Sequence, residues 1–143
     1  MRRGTSRGRV PIAAASLLCL LMLSAAAADK ETKLTGDWAG ESICVGYRPA
    51  CHDEQVVYHV RQHEDDPSIV TIAADKIIDG KPEEMYVLDF KYDKAKGTLF
   101  NEFTVGHTHG IWEYTVKGDT MEGTLKILPD KTVGRRVKVT KVK

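Results

Sequence analysis

The chain has 143 residues, 29% of them charged, with 21 basic against 20 acidic side chains and a formal net charge of +1. That length points to one domain, and the near-balanced charge lacks the basic footprint of a nucleic-acid-binding protein. Residues 1–28 hold four arginines and no acid, so the remainder carries 17 basic and 20 acidic residues and a net charge of −3.

The first segment reads as a leader. MRRGTSRGRVPI is basic, the apolar run AAASLLCLLMLSAAAA follows, and the charged DKETK comes next. A basic start, a short apolar core and small residues before a cut form a secretory signal. An Ala-x-Ala site ending at Ala28 leaves Asp29 as the expected mature start, with no membrane span after cleavage. The expected address is the periplasm or the outside of the cell. Residues 29–34 are expected as a flexible arm, and 35–143 as a single domain.

From there the chain alternates apolar and polar residues in short runs separated by turn-forming clusters. Period-two patterning predicts strands at 35–45, 54–62, 68–75, 84–92, 98–105, 111–117, 120–127 and 133–142. The breaks YRPA, EDDP, DGKPE, DKAKG, GHTHG, KGD and LPDK are rich in Gly, Pro and Asp. IIDGKPEE has room for one helical turn, but Gly80 and Pro82 argue against more. Eight such strands predict an all-β fold, an antiparallel up-and-down barrel.

Strand parity then selects an inner face. Val56, Tyr58 and Val60 fall together, as do Tyr86, Leu88, Phe90 and Tyr92. Leu99 pairs with Phe103, and Trp112 groups with Tyr114 and Val116. On the last strand Val133, Arg135, Val137 and Val139 share the apolar side, where a charge is costly unless paired or stacked. The first strand turns Gly36, Trp38, Gly40 and Cys44 inward. If the barrel closes, first and last strands become neighbours, and Arg135 is expected over the Trp38 indole in a cation–π contact.

Gly36-Asp37-Trp38 at the start of the first strand, with Arg135 on the last, resembles the lipocalin and calycin pattern. The resemblance implies a barrel closed at one end by that Trp–Arg pair, with a small apolar ligand held at the other. The chain is shorter than a typical lipocalin and shows no terminal helix. Small exported barrels related to calycins also include bacterial inhibitors of secreted metalloproteases with a single disulfide. For such an inhibitor, DKETKLT would be the inserted arm.

Among chemical candidates, Cys44 and Cys51 are the only cysteines left after leader removal. An even count in an oxidising compartment predicts a disulfide; closing so short a loop contributes about 2.5 kcal/mol in the chain-entropy model. Their spacing is not the CxxC of a redox pair. His107 and His109 flank Thr108 on one side of an extended segment and are weak zinc or copper candidates. No GxSxG elbow or phosphate-cradling glycine loop occurs, and Glu83-Glu84 reads as a solvated turn, so no enzymatic activity and no cofactor are expected. The inner aromatics Tyr58, Tyr86, Phe90, Phe103, Trp112 and Tyr114 are the ligand-binding candidates, a filled core being the competing expectation. A small apolar ligand or an exported protein partner is the expected occupant.

Overall fold

A computed structural model describes residues 33–46 and 48–143. The leader at 1–28 and the first four residues of the expected arm lie outside the described residues. The strands are β1 (Gly36–Cys44), β2 (Glu54–Gln62), β3 (Ile69–Ile78), β4 (Lys81–Asp93), β5 (Thr98–Val105), β6 (Thr108–Lys117), β7 (Thr120–Ile127) and β8 (Thr132–Lys141). Each is antiparallel to the next and β8 returns to β1, closing the up-and-down barrel that the alternation predicted. Among the described residues no helix is long and apolar enough to cross a membrane.

Closure follows from the pattern. Each strand exposes one apolar face, and the right-handed twist of consecutive strands curls those faces together. The inner parity buries Trp38, Val56, Tyr58, Val60, Val70, Ile72, Phe90, Leu99, Tyr114, Met121, Val137 and Val139. At roughly 25 cal/mol per Å², burial of such side chains is the main term holding the barrel. Gly123 shows how tightly the middle layer is filled. A Cβ there would stand 2.2 Å from the Tyr114 ring.

The segment with room for a helical turn is instead a hairpin. β3 and β4 run on to Ile78 and from Lys81, joined by Asp79 and Gly80 with φ of 50° and 75°. Two successive positive-φ residues suit a two-residue turn whose twist matches its strands, and Asp-Gly is a preferred pair for it. The strands β3 and β4 are therefore longer than their alternation suggested. A register shift between Ala74 and Asp75 marks a bulge that hides the extension from period-two reading.

The two ends of the barrel differ. The end that collects Lys33 and Leu34, the β6–β7 turn and residues 142–143 is here the Trp38 end. The opposite end gathers residues 48–53, the Asp79-Gly80 turn, the Gly106-His107 turn and residues 128–131. It is here the disulfide end.

Candidate functional site at the disulfide end

Trp38 and Arg135 are not partners, contrary to the expectation. The β1–β8 register sets Trp38 against Lys141 and Cys44 against Arg135. In an antiparallel pair the start of one strand lies beside the end of the other, and Arg135 stands near the start of β8. Six residues of strand separate the two sites, about 20 Å at the usual rise. Lys141 takes the cationic place, its Nζ 5.4 Å from the Trp38 ring centroid. The same ammonium donates to the Lys33 carbonyl. Trp38 Nε1 donates to the Leu34 carbonyl at 3.0 Å, and both residues are fully buried. Gly36, at φ 140°, leaves room for this arrangement, since a Cβ there would press on Lys141 Cε at 3.1 Å. Leu34 thus anchors the end of the segment expected as a flexible arm.

Arg135 works at the other end. Its Nη1 donates to the Ser42 carbonyl at 3.2 Å and to Ser42 Oγ at 2.8 Å. Its Nη2 donates to the His52 carbonyl at 2.7 Å and lies 3.3 Å from Glu54 Oε2. The planar fork of a guanidinium satisfies several acceptors at once, which a lysine does not. Glu54 and Ser42 were not singled out from the sequence. Glu54 has the inward parity of Val56 and Tyr58, so a second charge on an inner face was the available signal.

Cys44 and Cys51 form the expected disulfide, with sulfurs 2.01 Å apart. It closes the loop whose His52 carbonyl receives Arg135. Cys44 N–H donates to Asp53 Oδ1 at 2.8 Å, and Val45 N–H to the Gly134 carbonyl at 3.0 Å. Loop, staple and guanidinium are one assembly.

The aromatic candidates fall into two sets. Tyr58, Phe90 and Tyr114 are core: Tyr58 and Tyr114 pack edge-on at 6.0 Å, and Phe90 meets Tyr114 at 5.7 Å. Trp112 stacks on Tyr114 at 5.6 Å and 14°, and Tyr86 tilts over Trp112 at 6.0 Å. The hydroxyls of Tyr58 and Tyr114 lie 3.1 Å apart, and Tyr86 O–H donates to Tyr58 at 3.4 Å. Burial pushes the pKa of Tyr58 up and those of Tyr86 and Tyr114 well up. All three are neutral phenols whose polar atoms are satisfied mainly by one another. The rings therefore fill the middle of the barrel, as the filled-core expectation had it.

Tyr86, Phe103, Met85, Leu88 and Leu125 are only half-buried and pack on that core toward the disulfide end. This end gathers half-buried apolar and aromatic side chains around Trp112, beside the paired Arg135 and Glu54. Such a surface holds a flat apolar body by stacking and area burial.

The histidines do not assemble a metal site. His109 Nε2 bonds Glu102 Oε1 at 2.6 Å, and His107 lies exposed in the neighbouring turn. Among the described residues no three His, Cys, Asp or Glu side chains converge as a metal site. On the outer face His59 is held between Asp37 Oδ1 at 2.7 Å and Asp75 Oδ2 at 3.2 Å. The acids sit on opposite ring nitrogens and raise its pKa, chiefly through the Asp37 hydrogen bond.

An open trough of about 1140 Å³ crosses the outer faces of β5 to β8 and β1, between Phe100 and Ile43. Within it Glu122 pairs with Lys138 at 3.1 Å, and Glu113 at its edge pairs with Lys126. The trough is open and of mixed polar and apolar lining, and it does not reach Tyr86, Trp112 or Arg135. The disulfide end is the better-built candidate because its polar groups are fixed and its apolar groups are not fully covered.

These features define a closed antiparallel barrel with one end capped by Leu34 and Lys141 and an opposite end that leaves Tyr86 and Phe103 half-buried. Compared with protein-family models, with curated proteins and with solved structures, the chain matches none.

Proposed function

We propose that this chain is an exported, non-enzymatic binding protein of lipocalin type. It takes a small apolar or aromatic ligand at the disulfide end of the barrel. The observation that carries the reading is the difference between the two ends. The Trp38 end is capped by Leu34 and Lys141, with Tyr92 and Val116 half-buried beside the cap. The opposite end leaves Tyr86, Phe103, Met85 and Leu125 half-buried around Trp112, beside Arg135.

The ligand rests on the Tyr86 and Trp112 rings rather than deep in the barrel, where Tyr58, Tyr114 and Phe90 occupy the space. A flat aromatic molecule adds a further ring to that stack. Arg135 and Glu54 at the rim select for a polar substituent. Export is read from the leader pattern of residues 1–28, and it agrees with an oxidised Cys44–Cys51 pair.

The test is titration of the purified protein with 1-anilinonaphthalene-8-sulfonate, read by dye fluorescence and by tryptophan quenching. Saturable binding is expected, weakened at least tenfold by Trp112→Ala or Phe103→Ala and little affected by Val142→Ala at the other end. Dye binding that is non-saturable, or equal in all three variants, overturns the reading.

A further inference from the structure

One side chain on the inner face keeps a polar atom without a partner. The β4–β5 ladder consists of Asp93↔Thr98, Tyr92↔Leu99 and Lys91↔Phe100. Where the two strands part beyond Lys91, Asn101 carries the connection on with its side chain, Nδ2 donating to the Asp89 carbonyl at 2.8 Å. A carbonyl partner fixes that atom as the nitrogen. Oδ1 is then an acceptor, and it is buried with no hydrogen-bond partner among the described residues. Natural structures seldom leave a buried acceptor unpaired, because its desolvation is not repaid.

Asn101 stands directly opposite Trp112 in the β5–β6 ladder. Side chains of such a pair share one face of the sheet. Asn101 therefore belongs to the layer of Trp112, over which Tyr86 tilts at 6.0 Å. The next inward pair deeper in the barrel is Leu99 and Tyr114, both buried. The next toward the disulfide end is Phe103 and Gly110. A Cβ on Gly110 would stand 2.7 Å from Phe103 Cζ and 3.1 Å from Leu125 Cδ1, so both side chains close over that glycine. Phe103 and Leu125, like Tyr86 and Leu88, are only half-buried. The cover on this side of Asn101 is made of side chains, which turn on a faster scale than backbone moves.

A neutral acceptor in this setting answers a neutral donor. Glu54 is already paired with Arg135 at 3.3 Å. The guanidinium gives its hydrogens to Ser42 and to the His52 carbonyl. Neither leaves a charge to meet an ionised ligand, and an ionised group set beside Oδ1 would be buried without a counter-charge, which is costly.

We propose that the occupant of the disulfide end is a neutral aromatic molecule bearing an O–H or N–H, a phenol or an indole in class. Its donor bonds Asn101 Oδ1 while its ring lies on Tyr86 and Trp112, with Phe103 turned aside. Asn101 is thereby the residue that separates donor-bearing rings from hydrocarbons and ethers of the same shape. The inference rests on the small-ligand reading above. A site with a buried acceptor discriminates strongly, because a ligand that lacks the donor leaves that acceptor unpaired against it.

The probes are 2-naphthol and 2-methoxynaphthalene, which differ by a methyl in place of the hydroxyl hydrogen. Each is titrated to displace bound 1-anilinonaphthalene-8-sulfonate, and NMR follows the Asn101 side-chain carbonyl carbon. The ether is the more apolar probe, so area burial alone favours it. The naphthol is nonetheless expected to displace the dye at a concentration at least tenfold lower. It is also expected to move the Asn101 carbonyl signal, which the ether leaves in place. Asn101→Leu, close in size, is expected to abolish the preference for the naphthol. The NMR signal is read on the unaltered chain, so the test holds even if that variant fails to fold. Displacement by neither probe, or displacement unaffected by Trp112→Ala, overturns the ligand reading and this proposal with it. Equal displacement by both probes at a Trp112-dependent site, a preference kept in Asn101→Leu, or a carbonyl signal moved equally by both probes overturns this proposal alone.

Discussion

Arg135 and Glu54 meet at 3.3 Å on the inner rim of the disulfide end, joined across β1 through Ser42. Both side chains are largely buried, at 15% and 24% exposure. Replacing Arg135 by Met leaves Glu54 unpaired and frees the Ser42 and His52 carbonyls. Losing one partner of a buried pair is expensive, and at this partly open rim about 2–3 kcal/mol is expected. Glu54→Gln keeps a hydrogen-bond acceptor and is expected to cost about 1 kcal/mol. Urea denaturation of the variants measures both, and equal costs would show that the carbonyl contacts contribute little.

Trp38 and Lys141 are coupled, and Trp38 and Arg135 are not. A double-mutant cycle with Trp38→Phe and Lys141→Met is expected to show an interaction of about 0.5–1 kcal/mol, as for a cation near an aromatic face. The cycle of Trp38→Phe with Arg135→Met is expected to be additive, because distant sites without shared partners do not couple. Trp38→Phe alone strands the buried Leu34 carbonyl and is expected to cost about 2 kcal/mol.

The Tyr114 ring occupies the space a side chain at position 123 would need. A Cβ on Gly123 would also lie 2.7 Å from the Glu113 carbonyl. Gly123→Ala is therefore expected to destabilise by about 2–3 kcal/mol through overpacking. Adding Tyr114→Leu is expected to relieve part of that cost relative to the single changes, measured by thermal unfolding. Strict additivity would mean that the backbone, not the ring, is the obstacle.

His59 gives the outer face a pH dependence. The Asp37 hydrogen bond, seconded by Asp75, raises its pKa. A raised pKa means that the folded chain holds the proton more tightly than the unfolded chain. The stabilisation is then fully present below the unfolded pKa of about 6.5 and is lost as pH rises through the folded value. Its size is small because the ring is exposed. NMR titration of His59 should give a pKa above the ordinary histidine value of about 6.5, and Asp37→Asn should lower it. A His59 pKa unchanged by Asp37→Asn would remove the assigned cause.

Reduction of the Cys44–Cys51 bond is expected to cost about 2.5 kcal/mol by releasing a short loop. The His52 carbonyl moves with that loop, so reduction should also weaken dye binding at the disulfide end. A loss of stability with unchanged dye affinity would separate the staple from the site.

Much of the barrel was legible because its signal is local. Alternation placed all eight strands, and parity placed Trp38, Tyr58, Phe90 and Tyr114 inside. The extension of β3 and β4 escaped because a bulge resets the period at Ala74/Asp75 and Asp79-Gly80 turns within what reads as a loop. The rim pair was half legible. Arg135 was conspicuous as a charge on an inner face, yet its partner was assigned to Trp38 because only the side of the strand was considered. Inward parity says nothing of height along the barrel, and Glu54 carried the same parity at the matching height.

By itself the sequence determined the class of fold, the inward set of residues and the cysteine pair available for bonding. Each depends on the period of the chain or on residue type, and needs no partner to be known. Tertiary structure alone decided which charges meet, which rings fill the core and which stay half-covered, and that β4 and β5 part beyond Lys91. Those outcomes depend on register and on bulges, where one residue of slip changes every distant contact.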